Sequence, residues 1–238
     1  MLVIMLNIIV RFSHESRQIG AINMRQSFIA QLEEMNNHVI KMGSLLELST
    51  NEMILALEQA DTEIAKKIIA RDDEIDHFEQ QIERECINLI AKQQPLATDL
   101  RKITSIMKII TDIERIADQC ADISEYIIKL SKLPTMNPPK DLAKMISAMK
   151  SMVIDTIDSF VEGNVTKASG VITADDEVDD YFEKLTNELA SIMQKEPGLV
   201  PQCICYLMII KYLERMADHA TNIAEWITFI VTGDMVNS

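Results

Sequence analysis

Glycine and proline are scarce in this sequence, six of each in 238 residues, and aromatic residues make up only 5%. That shortage argues against a β-rich fold, which needs turn-forming residues and strands rich in aromatic or β-branched side chains. Cysteine is equally thin. The four thiols, Cys86, Cys120, Cys203 and Cys205, lack the paired CxxC spacing of a structural zinc site and are too few for a disulfide-held secreted domain, so they read as reduced and cytoplasmic. Basic residues are outnumbered, 23 Lys and Arg against 37 Asp and Glu, and a net charge of −14 opposes binding to a phosphate backbone. No nucleic-acid partner is expected. Neither a glycine-rich cradle nor an arginine cluster offers phosphate itself a site. A long apolar run is also missing, since MLVIMLNIIV is ten residues before Arg11 and falls short of the ~20 that span a bilayer. It lacks the basic n-region of a secretory signal and reads as a short packing or interfacial segment, or as the product of a start upstream of Met24.

What the chain has is helix-forming material. Apolar residues are 47% and charged residues 25%, the balance of a folded protein. Leu, Ile, Met, Ala, Glu and Lys dominate it, and the expectation is an all-α fold. Ile106, Ile109, Ile113, Ile116, Cys120, Ile123, Ile127 and Leu130 alternate steps of three and four, the seam of a helix packed on other helices. One hundred residues later the same ladder runs Tyr206, Ile209, Leu213, Met216, Ala220, Ile223, Ile227 and Ile230. Over 112–127 and 212–227, seven of sixteen residues are identical, including the pentads ERIAD and ERMAD, so the chain is an internal duplication.

Upstream, RDDEID at Arg71 to Asp76 matches ADDEVD at Ala174 to Asp179 at an offset of 103. Each begins a helical stretch that ends near a proline, Pro95 or Pro197, where a helix must break. Still earlier, the segments from Met42 and Met145 align at the same offset, with Asp61 and Asn164 near the following turn. Each half is therefore three helices. The expected organisation is an N-terminal extension over 1–23, a three-helix bundle over 24–131, a proline-rich linker over 132–140 and a second three-helix bundle over 141–238.

The repeated chemistry is carboxylate chemistry. Residues four apart share a helix face, which pairs Asp72 with Asp76, Glu114 with Asp118, Asp175 with Asp179 and Glu214 with Asp218. Like charges at that spacing destabilise a helix by roughly 0.2–0.5 kcal/mol per pair unless something positive sits there. Arg115 and Arg215 adjoin their glutamates but point about a quarter-turn away, so neither reads as the bridge. A hard cation suits an all-oxygen set contributed by two neighbouring helices. Against this, acidic residues beside an apolar seam are commonly just a solvated face, and a duplication copies uninteresting residues too. His77 and His219 are not repeated, their counterparts being Asp180 and Gln119, and read as surface histidines. Asp122 and Asn222 continue the stripe as peripheral ligand candidates. Cys203 and Cys205 lie on different faces and carry no functional weight.

At these residues the chain resembles the PhoU family, bacterial accessory and regulatory proteins of phosphate-specific ABC transport. The match runs from about Arg25 to the C-terminus. It rests on the duplicated motif of Glu or Asp, three residues, then Asp, in ERIAD and ERMADHATNIAE, on Asp72 to Asp76 and Asp175 to Asp179 as upstream partners, and on MNNHVIKMG. The resemblance implies metal held by Asp72, Asp76, Glu114 and Asp118 in one half and by Asp175, Asp179, Glu214 and Asp218 in the other. The metal it implies is iron, zinc or another divalent ion such as manganese or magnesium. It further implies a homodimer or higher oligomer and a cytoplasmic go-between linking the transporter's ATPase subunit to a membrane sensor histidine kinase, touching the membrane only through partners. Such a protein represses the phosphate-starvation response when phosphate is plentiful. The chain departs from the pattern over 1–23 and at Gln119 and Asp122, which stand opposite His219 and Asn222 of the second copy, so identical metal content of the two sites does not follow.

Three other readings compete. A PhoU-like accessory protein could serve another transporter. A di-iron oxidative enzyme would need two ExxH motifs facing a bundle core, whereas only Glu74 to His77 is present and its repeat ends in Asp180. With no placeable nucleophile and base, the expectation is that the chain is not an enzyme. A plain helical scaffold would retain no metal and be indifferent to chelators.

Overall fold

The structure is a computed structural model that describes the backbone of residues 2–93 and 95–235 and the side chains of 25–92 and 95–235. The expected packing of the 1–23 extension depends on side chains that lie outside the described residues. The described residues form six α-helices, the structure is 90% helical, and no strand occurs among the described residues. They are α1 (Leu2–Gln59), α2 (Thr62–Gln93), α3 (Ala97–Leu130), α4 (Leu142–Glu162), α5 (Val165–Lys195) and α6 (Val200–Thr232), with a short 3₁₀ turn at Pro197–Leu199. The break after α2 falls at Pro95, and Pro197 opens the 3₁₀ turn before α6, both where proline denies the helix a donor.

The turns inside each half are built alike. Asp61 caps α2, its Oδ1 accepting from the backbone N–H of Glu63 at 2.8 Å and of Ile64 at 3.1 Å. Asn164, its repeat counterpart, caps α5 through the N–H of Lys167 at 3.1 Å. The residue before each cap is left-handed: Gly163 with φ 63° in the second half and Ala60 with φ 53° in the first. The linker leaves the helical pattern between Ser131 and Asp141, and Asp141 then anchors the start of α4 by ion pairs with Lys144 and with Lys184 of α5.

The seam residues are where their spacing put them. Ile106, Ile109, Ile113, Ile116, Cys120, Ile123 and Ile127 are buried, as are Tyr206, Ile209, Leu213, Met216, Ala220, Ile223 and Ile227. They belong to one hydrophobic core that also takes in α1, α2, α4 and α5. The two halves therefore share a core across the repeat boundary. Helices α3 and α6 form the most extensive helix pair and run antiparallel: the Arg101 guanidinium lies 5.8 Å from the Phe229 ring near one end, and Tyr126 meets Tyr212 at 6.0 Å toward the other. Gly43 brings α1 against α4, since a Cβ there would lie 3.3 Å from Ile157 Cγ2. No described helix is long and apolar enough to cross a membrane.

Candidate functional site

The acidic pairs of α2 and α3 face one another. One oxygen from each of Asp72, Asp76 and Asp118 lies within 4.8 Å of the others, across the boundary between the two helices. All three are half-buried, and Glu114, one turn before Asp118, has a side chain only 14% exposed. They flank the α3 seam closely enough to lose much of their hydration, so they are not a freely solvated face.

The electrostatics record that loss. Burial first, and then the charge of Asp118, push Asp72 up to about 6 from 3.8. Burial and Asp118 likewise push Glu114 up to about 7 from 4.5, with Arg115 pulling it partly back. Asp76 is raised by burial and then by Asp118. A buried oxygen of Asp76 also accepts no hydrogen bond, an arrangement proteins normally avoid.

One reading from the sequence is corrected here. Arg115 does bridge its neighbours: its Nη1 donates to Asp118 Oδ2 at 2.9 Å, and its Nε lies 3.3 Å from Glu114 Oε2. A long side chain with four rotatable bonds folds back along the helix, so the quarter-turn separation of the Cβ directions does not decide the contact. Arg71, next to Asp72 in sequence, is instead drawn to Glu52 of α1 at 2.7 Å.

The second half repeats the arrangement on α5 and α6 in a more open form. Asp175 and Glu214 are half-buried, whereas Asp179 and Asp218 are exposed. Burial, then Asp218 and Asp179, push Asp175 up to about 6. Burial, then Asp218, raise both Asp179 and Glu214. A buried oxygen of Asp175 also accepts no hydrogen bond. Among the described residues, no second group converges as tightly as Asp72, Asp76 and Asp118.

His219 is half-buried, and its Nδ1 lies 2.8 Å from Asp112 Oδ1 of α3, a contact between the two halves rather than a free surface position. Asn222, one turn beyond Asp218, lines a groove with α2 and α3 residues of the first half. Burial raises Asp122, the nearby Tyr212 hydroxyl pulls it partly back, and the charges of Glu125 and then Asp118 push it further up. Nothing in local periodicity signals the Asp112 to His219 contact, because the partners are 107 residues apart and meet only through the antiparallel packing of α3 on α6. His77 is exposed, with Nδ1 2.6 Å from the Asp73 carbonyl.

The PhoU domain model matches residues 39–127 and again 142–227, once in each half. The chain belongs to the PhoU family. A protein of Clostridium acetobutylicum named as a phosphate-specific transport system accessory protein PhoU homolog is 38% identical over 214 residues, which are 90% of this chain and 98% of the relative. A relative from Pseudomonas aeruginosa with the same name is 32% identical over 89% of this chain and 88% of its own. The crystal structure of PhoU from Pseudomonas aeruginosa superposes with a TM-score of 0.83, at 32% identity, over 87% of this chain and all of that one. That of the phosphate transport system regulatory protein PhoU from Streptococcus pneumoniae gives 0.82 at 30% identity, covering 89% and 100%. These relatives are named as accessory and regulatory proteins of phosphate transport, and none of the names is that of an enzyme. The boundaries of the two domain matches leave 128–141 between them, which brackets the proline-bearing linker.

Proposed function

We propose that this chain is a regulator of phosphate uptake and of the phosphate-starvation response. It acts as a cytoplasmic, metal-binding adaptor between the ATPase subunit of a phosphate ABC transporter and a sensor histidine kinase, and it represses the response when phosphate is plentiful. The observation that supports this reading is the PhoU match in each half over helices that carry acidic pairs: Asp72 and Asp76 lie close to Asp118 in the first, and Asp175 feels the charges of Asp218 and Asp179 in the second.

The residues fit a cation. Asp72, Asp76, Glu114 and Asp118 would hold it in the first half, and Asp175, Asp179, Glu214 and Asp218 in the second. An all-oxygen donor set favours hard ions, iron, manganese or magnesium, over zinc, which takes nitrogen and sulfur ligands more readily. A bound ion would satisfy the buried oxygens of Asp76 and Asp175 that accept no hydrogen bond and would offset the mutual repulsion of the pairs. The chain's own contribution is to hold the carboxylates half-buried and facing, so that α2 is tied to α3 and α5 to α6. Arg115 supplies part of the neutralising charge in the first half.

The test is a phosphatase reporter under phosphate-starvation control, in phosphate-rich medium, in a bacterium lacking its own PhoU and supplied with this chain. Repression restored by the wild type and lost with Ala at Glu114, Asp118, Glu214 and Asp218, together with loss of retained metal by elemental analysis, is the expected result. A folded, abundant wild-type chain that leaves the reporter expressed would overturn the phosphate role, and a variant with full metal content would overturn the ligand assignment.

A further inference from the structure

Trp226 is the chain's only tryptophan, and it lines a groove of about 520 Å³ where α6 meets α2 and α3. Glu79 and Glu83 of α2, and Met107, Lys108 and Asp112 of α3, complete its walls. Asp112 is already engaged by His219, and Glu79 accepts a hydrogen bond from Thr111 at 3.1 Å, while Glu83 is exposed.

The duplication provides a comparison inside the molecule. At the offset of one hundred, Trp226 corresponds to Tyr126, and over the Tyr126 ring the Lys129 ammonium sits 4.1 Å from the centroid, tethered by Glu125 at 3.3 Å. The first copy thus supplies its aromatic with a cation from the same helix. In the second copy the place of Lys129 is taken by Phe229, whose ring meets Trp226 edge-on with centroids 6.0 Å apart. Among the described residues Trp226 has no such cation over its ring, and it shares its groove with two carboxylates, Glu79 and Glu83, whose own repeat positions are Phe182 and Thr186. Indole attracts a cation more strongly than phenol does, and neighbouring carboxylates reinforce the attraction. Lys108, the groove's own cation, is exposed, and among the described residues it makes neither an ion pair with these acids nor a cation–π contact with Trp226.

We propose that this groove docks a basic segment of a partner protein, which places an arginine or lysine side chain against Trp226 beside Glu79 and Glu83. Met107 gives the aliphatic stem of that side chain a surface to pack on. The inference deepens the adaptor reading by naming one contact surface, and it rests on that reading for the existence of a protein partner.

Because Trp226 is the sole tryptophan, its fluorescence reports on the groove directly. The probe is a capped octapeptide carrying two arginines, compared with a twin carrying glutamine in their place. The arginine peptide should give a saturable change in emission and the glutamine twin none. The E79Q/E83Q chain should bind ~10-fold more weakly, as expected for the loss of two partly exposed charge contacts. The E33Q/E34Q chain, with the same change in net charge on exposed positions of α1, should bind as the wild type does. No saturable change, an equal response to the twin, or equal weakening in both double variants would each overturn the groove. Both questions separate in the reporter strain: peptide binding without repression removes the phosphate role and leaves the groove, whereas repression without peptide binding removes the groove alone.

Discussion

Asp72 and Glu114 are held near pH 6 and 7 by burial and by Asp118, and the consequence for stability has a definite sign. A carboxyl group whose folded value lies above its unfolded one binds its proton more readily in the native state. Stability therefore falls as pH rises from the unfolded value through the folded one, and the full penalty is present above about pH 7. Chelator-treated wild type should lose stability between about pH 4 and 7, on the order of 1 kcal/mol for each of these partly buried groups after solvent screening. The D72N/E114Q variant should show a flatter profile in urea melts across that range. Parallel profiles for the two proteins would remove these carboxylates as the cause. The pairing of the acids was legible in the sequence because four-residue spacing fixes a helix face. The engagement of Arg115 was not, because it depends on the rotamer of a long side chain.

At the level of the helices, the two halves offer a controlled comparison in their α-to-α turns. Gly163 ends α4 in the left-handed region without penalty, whereas Ala60 adopts the same conformation with a Cβ. Replacing Ala60 with glycine should stabilise the protein by about 1 kcal/mol despite the greater freedom glycine gives the unfolded chain. A lower melting midpoint for A60G would mean that the neighbouring cap, Asp61, and not the backbone conformation, governs this turn. The turn positions themselves were readable, since Asp61 and Asn164 recur at the repeat offset just before an amphipathic run. The left-handed alanine was not, because nothing in a lone Ala announces a positive φ.

For the molecule as a whole, the shared core makes the duplication a single folding unit. Ile209 of α6 is fully buried in the shared core. Ile209→Ala should destabilise by about 2–5 kcal/mol through lost burial and the cavity left behind. If the halves unfold together, hydrogen exchange should show the most protected amides of α2 and α3 losing as much protection as those of α5 and α6. Protection retained in α2 and α3 would instead divide the chain into two independently melting bundles. Two three-helix bundles joined by a proline-rich linker were expected from the repeat. Their fusion was not, because periodicity tells which face of a helix is buried but not which neighbour buries it.

Local rules were enough for the elements and the candidates. Helical periodicity, proline breaks, cap residues and the repeat offset determined six helices, the duplicated plan and the eight acidic positions, because each depends on residues only a few places apart. Tertiary structure decided what those positions meet. It turned the acids of α2 and α3 toward one another, left the second set more open than the first, joined Asp112 to His219 across the halves and brought Trp226 into one groove with Glu79 and Glu83. These contacts follow from the antiparallel packing of α3 on α6 and from how deeply each pair sinks at its helix boundary, which no stretch of sequence encodes by itself.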